Sequence, residues 1–188
     1  MSTKKSVVYT RCGDSGLTDA FDKDGKVLKI PKDSQIFDVI GTLDELNSHI
    51  GHARDLLDRV TRNTMDPILL DVQTCIFDMS SKLIMGKPFE GGAEKVKKLE
   101  SCIDTLDVQT LPVKGFIIPG GSGIPASSQL HIARTVCRRA EREYLKYTAN
   151  VQRDNEILMY INRLSDLLFV CAKWCNSANE KPETLVKF

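Results

Sequence analysis

"IFDVIGTLDELNSHIGHARDLL", residues 36–57, places apolar side chains at Ile36, Val39, Leu43, Leu46, Ile50, Ala53 and Leu57. The steps alternate three, four, three, four without a break, so a chain turning once every 3.6 residues presents all seven on a single face. The spacing predicts a helix of about six turns. Pro31 stands just ahead of it, and Asp33 or Ser34 can cap its first free N–H groups.

The same rhythm recurs downstream. A second helix is expected to open at "MDPILL", with Asp66 as cap and Pro67 in the first turn, and to carry the stripe Leu69, Val72, Ile76, Met79, Leu83 as far as Gly86 and Pro88. A third follows Gly91 and Gly92 with Val96, Leu99, Ile103 and Leu106. A fourth is expected after Ser127 and Ser128, with Leu130, Ala133, Cys137, Ala140 and Tyr144. A fifth follows Asp154 with Ile157, Ile161, Leu164, Leu168 and Cys175. Five helices of comparable length joined in sequence read as an all-α fold, a five-helix up-and-down bundle.

Two stretches break the helical pattern. Residues 8–31 open with "VYTRCGDSGLT" and include "DKDG", a turn signal between short extended pieces, so the chain begins with an irregular arm. The arm fits neither a Walker loop nor a dinucleotide fingerprint. Residues 111–127, "LPVKGFIIPGGSGIPAS", carry glycines and prolines that exclude a regular helix, and a bundle needs no connection of that length unless it serves a function. The apolar "FII" within it argues for an ordered role.

With 26 basic and 25 acidic side chains the formal charge of this 188-residue chain is +1, so no global field recruits nucleic acid or an anionic membrane, and any anionic ligand must be held by a local cluster. No apolar run approaches the roughly 20 residues that span a bilayer, and "MSTKKSVVYT" lacks the apolar centre of a secretory signal. An intracellular chain is expected, in the cytoplasm of a bacterium or, after removal of a presequence, in a mitochondrial matrix. The six cysteines are scattered, without disulfide or zinc spacing, and are expected to be free thiols. His49, His52 and His131 lack the spacing of a helical zinc or di-iron site, and no nucleophile motif such as G-x-S-x-G is present.

Polar residues of note lie beside the apolar seams. In "ARTVCRRAERE", Arg134, Arg138 and Glu141 share one helical face and Arg142 extends the row from Arg138. Such a row is either an ordinary solvated face or a set of guanidinium groups placed to bind phosphate. In "YINRLSDLLF", Asn162, Asp166 and Phe169 lie together beside the fifth seam. Asp44 and Asn47 occupy the matching place on the first helix. A mid-helix Asp near apolar residues calls for a basic partner, and Arg134 is the candidate.

Taken in order, "YTRCGDSGLT", "PKDSQIFDVIGTLDELNSHIG", "FIIPGG", "ARTVCRRAERE" and "YINRLSD" resemble the ATP:cob(I)alamin adenosyltransferases of the propanediol-utilisation and methylmalonic-aciduria type, and they span nearly the whole chain. The resemblance implies a homotrimer with ATP and cobalamin held at each subunit interface, and transfer of the 5′-deoxyadenosyl group of ATP to Co(I) with release of triphosphate. It implies that residues 1–31 form an ATP-binding arm, 33–176 the bundle and 177–188 a tail. Carried over, Thr10, Arg11, Cys12, Gly13, Thr18 and Lys32 contact ATP. Arg138, Arg142 and Asn162 complete the nucleotide site, Glu141 orients them or the metal shell, and Asp44 pairs with Arg134, across the subunit boundary or within it. Phe116 and Phe169 line the corrinoid pocket. Mg²⁺ accompanies the nucleotide, with no ligand set implied, and a reductase and an adenosylcobalamin-dependent client enzyme are expected partners. Two positions depart from the family pattern, Cys12 in place of a small or hydroxyl residue and Ser15 where lysine is frequent. The same binding residues would also serve a non-catalytic ATP or corrinoid sensor, or an adenosylcobalamin carrier, from which only turnover distinguishes the enzyme.

Overall fold

The computed structural model describes residues 8–9, 11–22 and 24–187. In the arm, β1 (Leu17–Phe21) and β2 (Val27–Pro31) form an antiparallel hairpin, in register from Leu17 opposite Pro31 to Phe21 opposite Val27. The Asp22 carboxylate holds its turn by accepting from the Asp24 and Lys26 amides.

Five helices follow: α1 (Gln35–Asp55), α2 (Arg62–Ile84), α3 (Gly92–Asp107), α4 (Pro125–Tyr147) and α5 (Asn155–Ala178). The seam read from residues 36–57 is the core face of α1. Val39, Leu43, Leu46, Ile50 and Ala53 are fully buried and Leu57 nearly so. Burying each of the larger aliphatic side chains contributes about 1.5–3 kcal/mol, which outweighs any single surface pair. Helix α1 packs on α2 and α4, α5 packs on α4 and α3, and the ion pairs Lys95–Asp78 (2.7 Å) and Lys98–Asp71 (2.8 Å) join α3 to α2. Contacts of Glu45 with Arg139 and of His49 with Gln129 show that α1 and α4 run antiparallel.

Two helix starts differ from the expectation. Helix α2 begins at Arg62, four residues ahead of Asp66, because Asp58 organises the turn: its carboxylate accepts from the Val60 and Thr61 amides and the Thr61 hydroxyl, and its carbonyl accepts from Arg62 N–H. Pro67 therefore sits inside the helix and withholds one N–H from the carbonyl of the exposed Asn63. Asp66, in place of capping, forms a two-pronged pair with Arg54 at 2.8 and 3.1 Å. Helix α4 begins at Pro125, whose fixed φ suits the first turn and whose missing N–H is not needed there. Ser34 occupies the N-cap position of α1 with no side-chain cap bond, whereas Asp154 caps α5 by accepting from Glu156 and Ile157.

The tail is not loose. Ile118 N–H donates to the Thr184 carbonyl at 2.8 Å and Val186 N–H donates to the Phe116 carbonyl at 2.9 Å, so residues 184–186 pair as a short antiparallel bridge with the long loop before α4. Asn176, buried in α5, anchors the tail by donating to Glu183 at 3.0 Å. All six cysteines are free thiols, and no described helix is long and apolar enough to cross a membrane.

Candidate functional site

The arm folds back on itself. After Leu17 pairs with Pro31, Lys32 N–H donates to the Gly16 carbonyl at 2.9 Å, and the Lys32 side chain lies over Gly13 so closely that a Cβ there would stand 2.7 Å from Nζ. A side chain at 13 would displace the Lys32 ammonium from this place, and Gly16 with φ 77° supplies a turn that L side chains avoid. Arg11 is itself at φ 62° and stacks over the Tyr9 ring at 5.7 Å. Cys12 is exposed and Thr18 half-buried in β1; Thr10 lies outside the described residues. The arm therefore gathers Arg11, Gly13 and Lys32 into one basic turn ahead of α1.

On α4, Arg138 and Arg142 are exposed, and Arg142 Nη1 donates to the Arg138 carbonyl at 3.0 Å. Neither has an acidic partner among the described residues. Glu141 is half-buried and accepts from Asn162 Nδ2 at 2.9 Å, which ties the α4 row to α5. Because α1 and α4 are antiparallel, the arm leads into the same end of the bundle as the C-terminal half of α4, where Arg138 and Arg142 lie. The loop with Phe116, which is 72% exposed, precedes the other end of α4.

Asp44 and Arg134 do not meet within the chain. Asp44 is exposed on the lip of a groove of about 450 Å³ between α1 and α2, with Phe37, Ile40 and Phe77 on its walls and the buried Asn47 within it; the Asn47 Oδ1 has no donor. Arg134 is half-buried with Nε lacking an acceptor, and its basicity is lowered by burial and by the neighbouring Arg138. Among the described residues, α1 thus carries an amide oxygen without a donor, and α4 a guanidinium Nε without an acceptor.

Phe169 is half-buried beside α4, edge-on to the buried His131 ring at 6.1 Å, with Lys173 Nζ over its own ring at 5.8 Å. Burial, reinforced by Arg134, lowers the His131 pKa to about 4, so the imidazole is neutral at ordinary pH, and neither ring nitrogen has a partner. Burial also pushes the Cys137 thiol far up, and Cys137 donates to the Ile161 carbonyl, a packing role. Among the described residues no three His, Cys, Asp or Glu side chains gather as a metal cage.

Two participants escaped the sequence reading. Arg139, next to Arg138, pairs with Glu45 of α1 and locks the rotation of α4; its place one residue off the row was the available signal. The tail's hold on Phe116 was signalled only by the β-branched and apolar "TLV", too short to read as a strand.

Residues 8–175 match the cobalamin adenosyltransferase family. The corrinoid adenosyltransferase MMAB of Bos taurus is 32% identical across 96% of this chain and 76% of its own, and the corrinoid adenosyltransferase of Bacillus subtilis is 36% identical across 90% and 86%. Among solved structures, an arginine-to-lysine variant of the PduO-type ATP:corrinoid adenosyltransferase from Lactobacillus reuteri, complexed with ATP, superposes with a TM-score of 0.84 at 32% identity, covering 96% of this chain and 100% of that one. A phenylalanine-to-alanine variant from the same organism, complexed with cobalamin and ATP, gives 0.81 at 30% identity, covering 96% and 99%.

Proposed function

The chain belongs to the cobalamin adenosyltransferase family, and from that premise we propose how its own residues perform the transfer. The protein is a corrinoid adenosyltransferase that moves the 5′-deoxyadenosyl group of ATP to cob(I)alamin. Co(I) is the nucleophile. Its electron pair forms the Co–C5′ bond as the C5′–O bond breaks, and the departing triphosphate keeps the bonding pair. No side chain need supply a nucleophile, which agrees with a site built of arginine, lysine, glycine and amide groups.

The observation that carries the assignment of roles is the pair of basic surfaces without acidic partners among the described residues, the arm turn of Arg11, Gly13 and Lys32, and the α4 row of Arg138 and Arg142. Gly13 lets backbone approach the phosphates while Lys32 neutralises them, and the guanidinium groups stabilise charge growing on the leaving triphosphate. Thr10, Cys12 and Thr18 complete the arm's contacts. Asn162, held by Glu141, positions the nucleoside end so that C5′ stands in line with cobalt. Mg²⁺ would accompany ATP and offset part of the triphosphate's charge beside Lys32 and the guanidinium groups.

The sites form between chains of a homotrimer. Arm and Phe116 loop belong to opposite ends of one bundle, while Asp44 and Asn47 Oδ1 on one face await the donor that Arg134 offers from another. Two different complementary faces make a head-to-tail contact, which closes as a ring. Phe116 and Phe169 cover the corrinoid, residues 1–31 act as the ATP arm and 177–188 as a tail that holds the loop. The compartment is that of the adenosylcobalamin-dependent client, bacterial cytoplasm or mitochondrial matrix, where a reductase supplies Co(I).

The deciding test adds ATP and Mg²⁺ to the protein with chemically reduced cob(I)alamin under anaerobic conditions and follows the visible spectrum. A light-sensitive alkylcobalamin with one triphosphate per turnover is the expected result; persistent Co(I) despite ATP binding would turn the reading to a carrier or sensor.

A further inference from the structure

His131 of α4 is 3% exposed, and neither of its ring nitrogens has a hydrogen-bond partner among the described residues. The transfer reaction makes no use of it. One turn further along the same helix, Arg134 buries its Nε without an acceptor. Residues three apart on a helix are neighbours, with Cβ atoms about 5–6 Å apart, and helical side chains lean toward the N-terminus, so the Arg134 stem leans back toward His131.

Burial, and then the Arg134 guanidinium, keep the imidazole neutral at ordinary pH, so one of its two nitrogens is an acceptor. An orphaned N–H and an orphaned acceptor thus belong to adjacent side chains, and both are shut off from water. The other unpartnered acceptors buried among the described residues lie on other helices: Asn47 Oδ1 is in the groove between α1 and α2, and Asn176 is turned to the tail by its bond to Glu183. The imidazole itself is packed edge-on against Phe169, with ring centroids 6.1 Å apart.

We propose that His131 is a positioning residue, whose imidazole accepts from Arg134 Nε–H and holds the guanidinium so that both Nη groups project from α4 as a fork. The inference rests on the pairing of Arg134 with Asp44 of a neighbouring chain proposed above, and accounts for how Arg134 is aimed. Because Nε is buried, a carboxylate arriving from another chain reaches only the outer end of this half-buried side chain and meets the two Nη groups. A neutral acceptor suits the inner position. A carboxylate at 131 would itself pair with the guanidinium and draw it away from the contact between chains, whereas an imidazole fixes the side chain and leaves its charge available.

Histidine-selective ¹⁵N spectra of the full chain read the bond directly. With three histidines present, the His131 signals are identified by their loss in His131→Gln. The unprotonated ring nitrogen is expected at the shielded position of a hydrogen-bond acceptor, and should move downfield in Arg134→Met, which keeps an apolar stem but no donor. An unmoved resonance would overturn the proposal. In sedimentation velocity, His131→Phe, which keeps a ring against Phe169, should raise the dissociation constant of the assembly at least fivefold, and His131→Gln, whose amide oxygen accepts, should recover most of that loss. Equal losses in the two variants would mean that the ring serves packing alone, against the proposal. Added to Asp44→Asn, His131→Phe should cost less than twofold more, and full additivity would likewise count against it. Should Asp44→Asn by itself leave assembly intact, the pairing between chains fails, and the nitrogen resonance still decides the bond between His131 and Arg134.

Discussion

Asn162 Nδ2 donates to Glu141 Oε1 at 2.9 Å, a bond between α4 and α5 that fixes the Glu141 carboxylate one turn beyond Arg138. The pair is half-buried, so each group loses a partner it cannot fully replace with water if the other is removed. Asn162→Ala is expected to lower kcat/KM for ATP by at least tenfold while leaving the far-ultraviolet dichroism unchanged. Asn162→Asp, which sets two carboxylates against each other, should be worse. Wild-type kinetics in both would separate the bond from the reaction.

Arg138 has no acidic partner among the described residues and lies exposed in the row that faces the nucleotide in the proposed site. Arg138→Ala should cut turnover at least tenfold, about 1.4 kcal/mol of transition-state stabilisation, without unfolding the bundle. Arg138→Lys, which keeps the charge but not the fork, should recover part of the loss.

Asp44 and Arg134 stay apart within the chain, each lacking the partner the other would provide. Asp44→Asn is expected to weaken assembly, seen as a shift from the proposed trimer toward smaller species in sedimentation velocity, with activity falling in parallel. An intact and fully active trimer would exclude the pairing.

His131 titrates at about 4 in the folded chain against about 6.5 when unfolded, because burial and then Arg134 oppose its charge. The native state therefore binds fewer protons, and the stability it contributes is complete above pH 6.5 and is lost as pH falls toward 4. Urea midpoints measured between pH 7 and 4.5 should drop more steeply in the wild type than in His131→Phe. Parallel curves would mean that the imidazole takes up its proton as readily in the fold as in the unfolded chain.

Val186 N–H donates to the Phe116 carbonyl, so the tail fixes the loop through backbone rather than side chain. Val186→Pro removes that donor. The expected result is a severalfold rise in the KM for corrinoid with the ATP KM unchanged; an unchanged corrinoid KM would free the tail from any part in placing Phe116.

Much of this was legible in local pattern. The three-and-four spacing of Val39, Leu43, Leu46, Ile50 and Ala53 identified both the helix and its buried face, since helical geometry converts spacing into direction without reference to the rest of the chain. Gly13 and Gly16 were visible as a break in the helical rhythm because glycine's backbone freedom is a property of the residue itself, whereas Lys32 was singled out only through the family resemblance.

Other features depend on residues far apart in sequence, and only the tertiary structure decided them. Asp58 set the start of α2, with Asn179 from the end of α5 also bonded to its carboxylate, and so Asp66 became free to bind Arg54. The bridge from residues 184–186 to Phe116 and the pairing of Arg139 with Glu45 follow the same logic. Each is settled by which surfaces the packed helices bring together, and long-range proximity is energetically defined only once the core has closed.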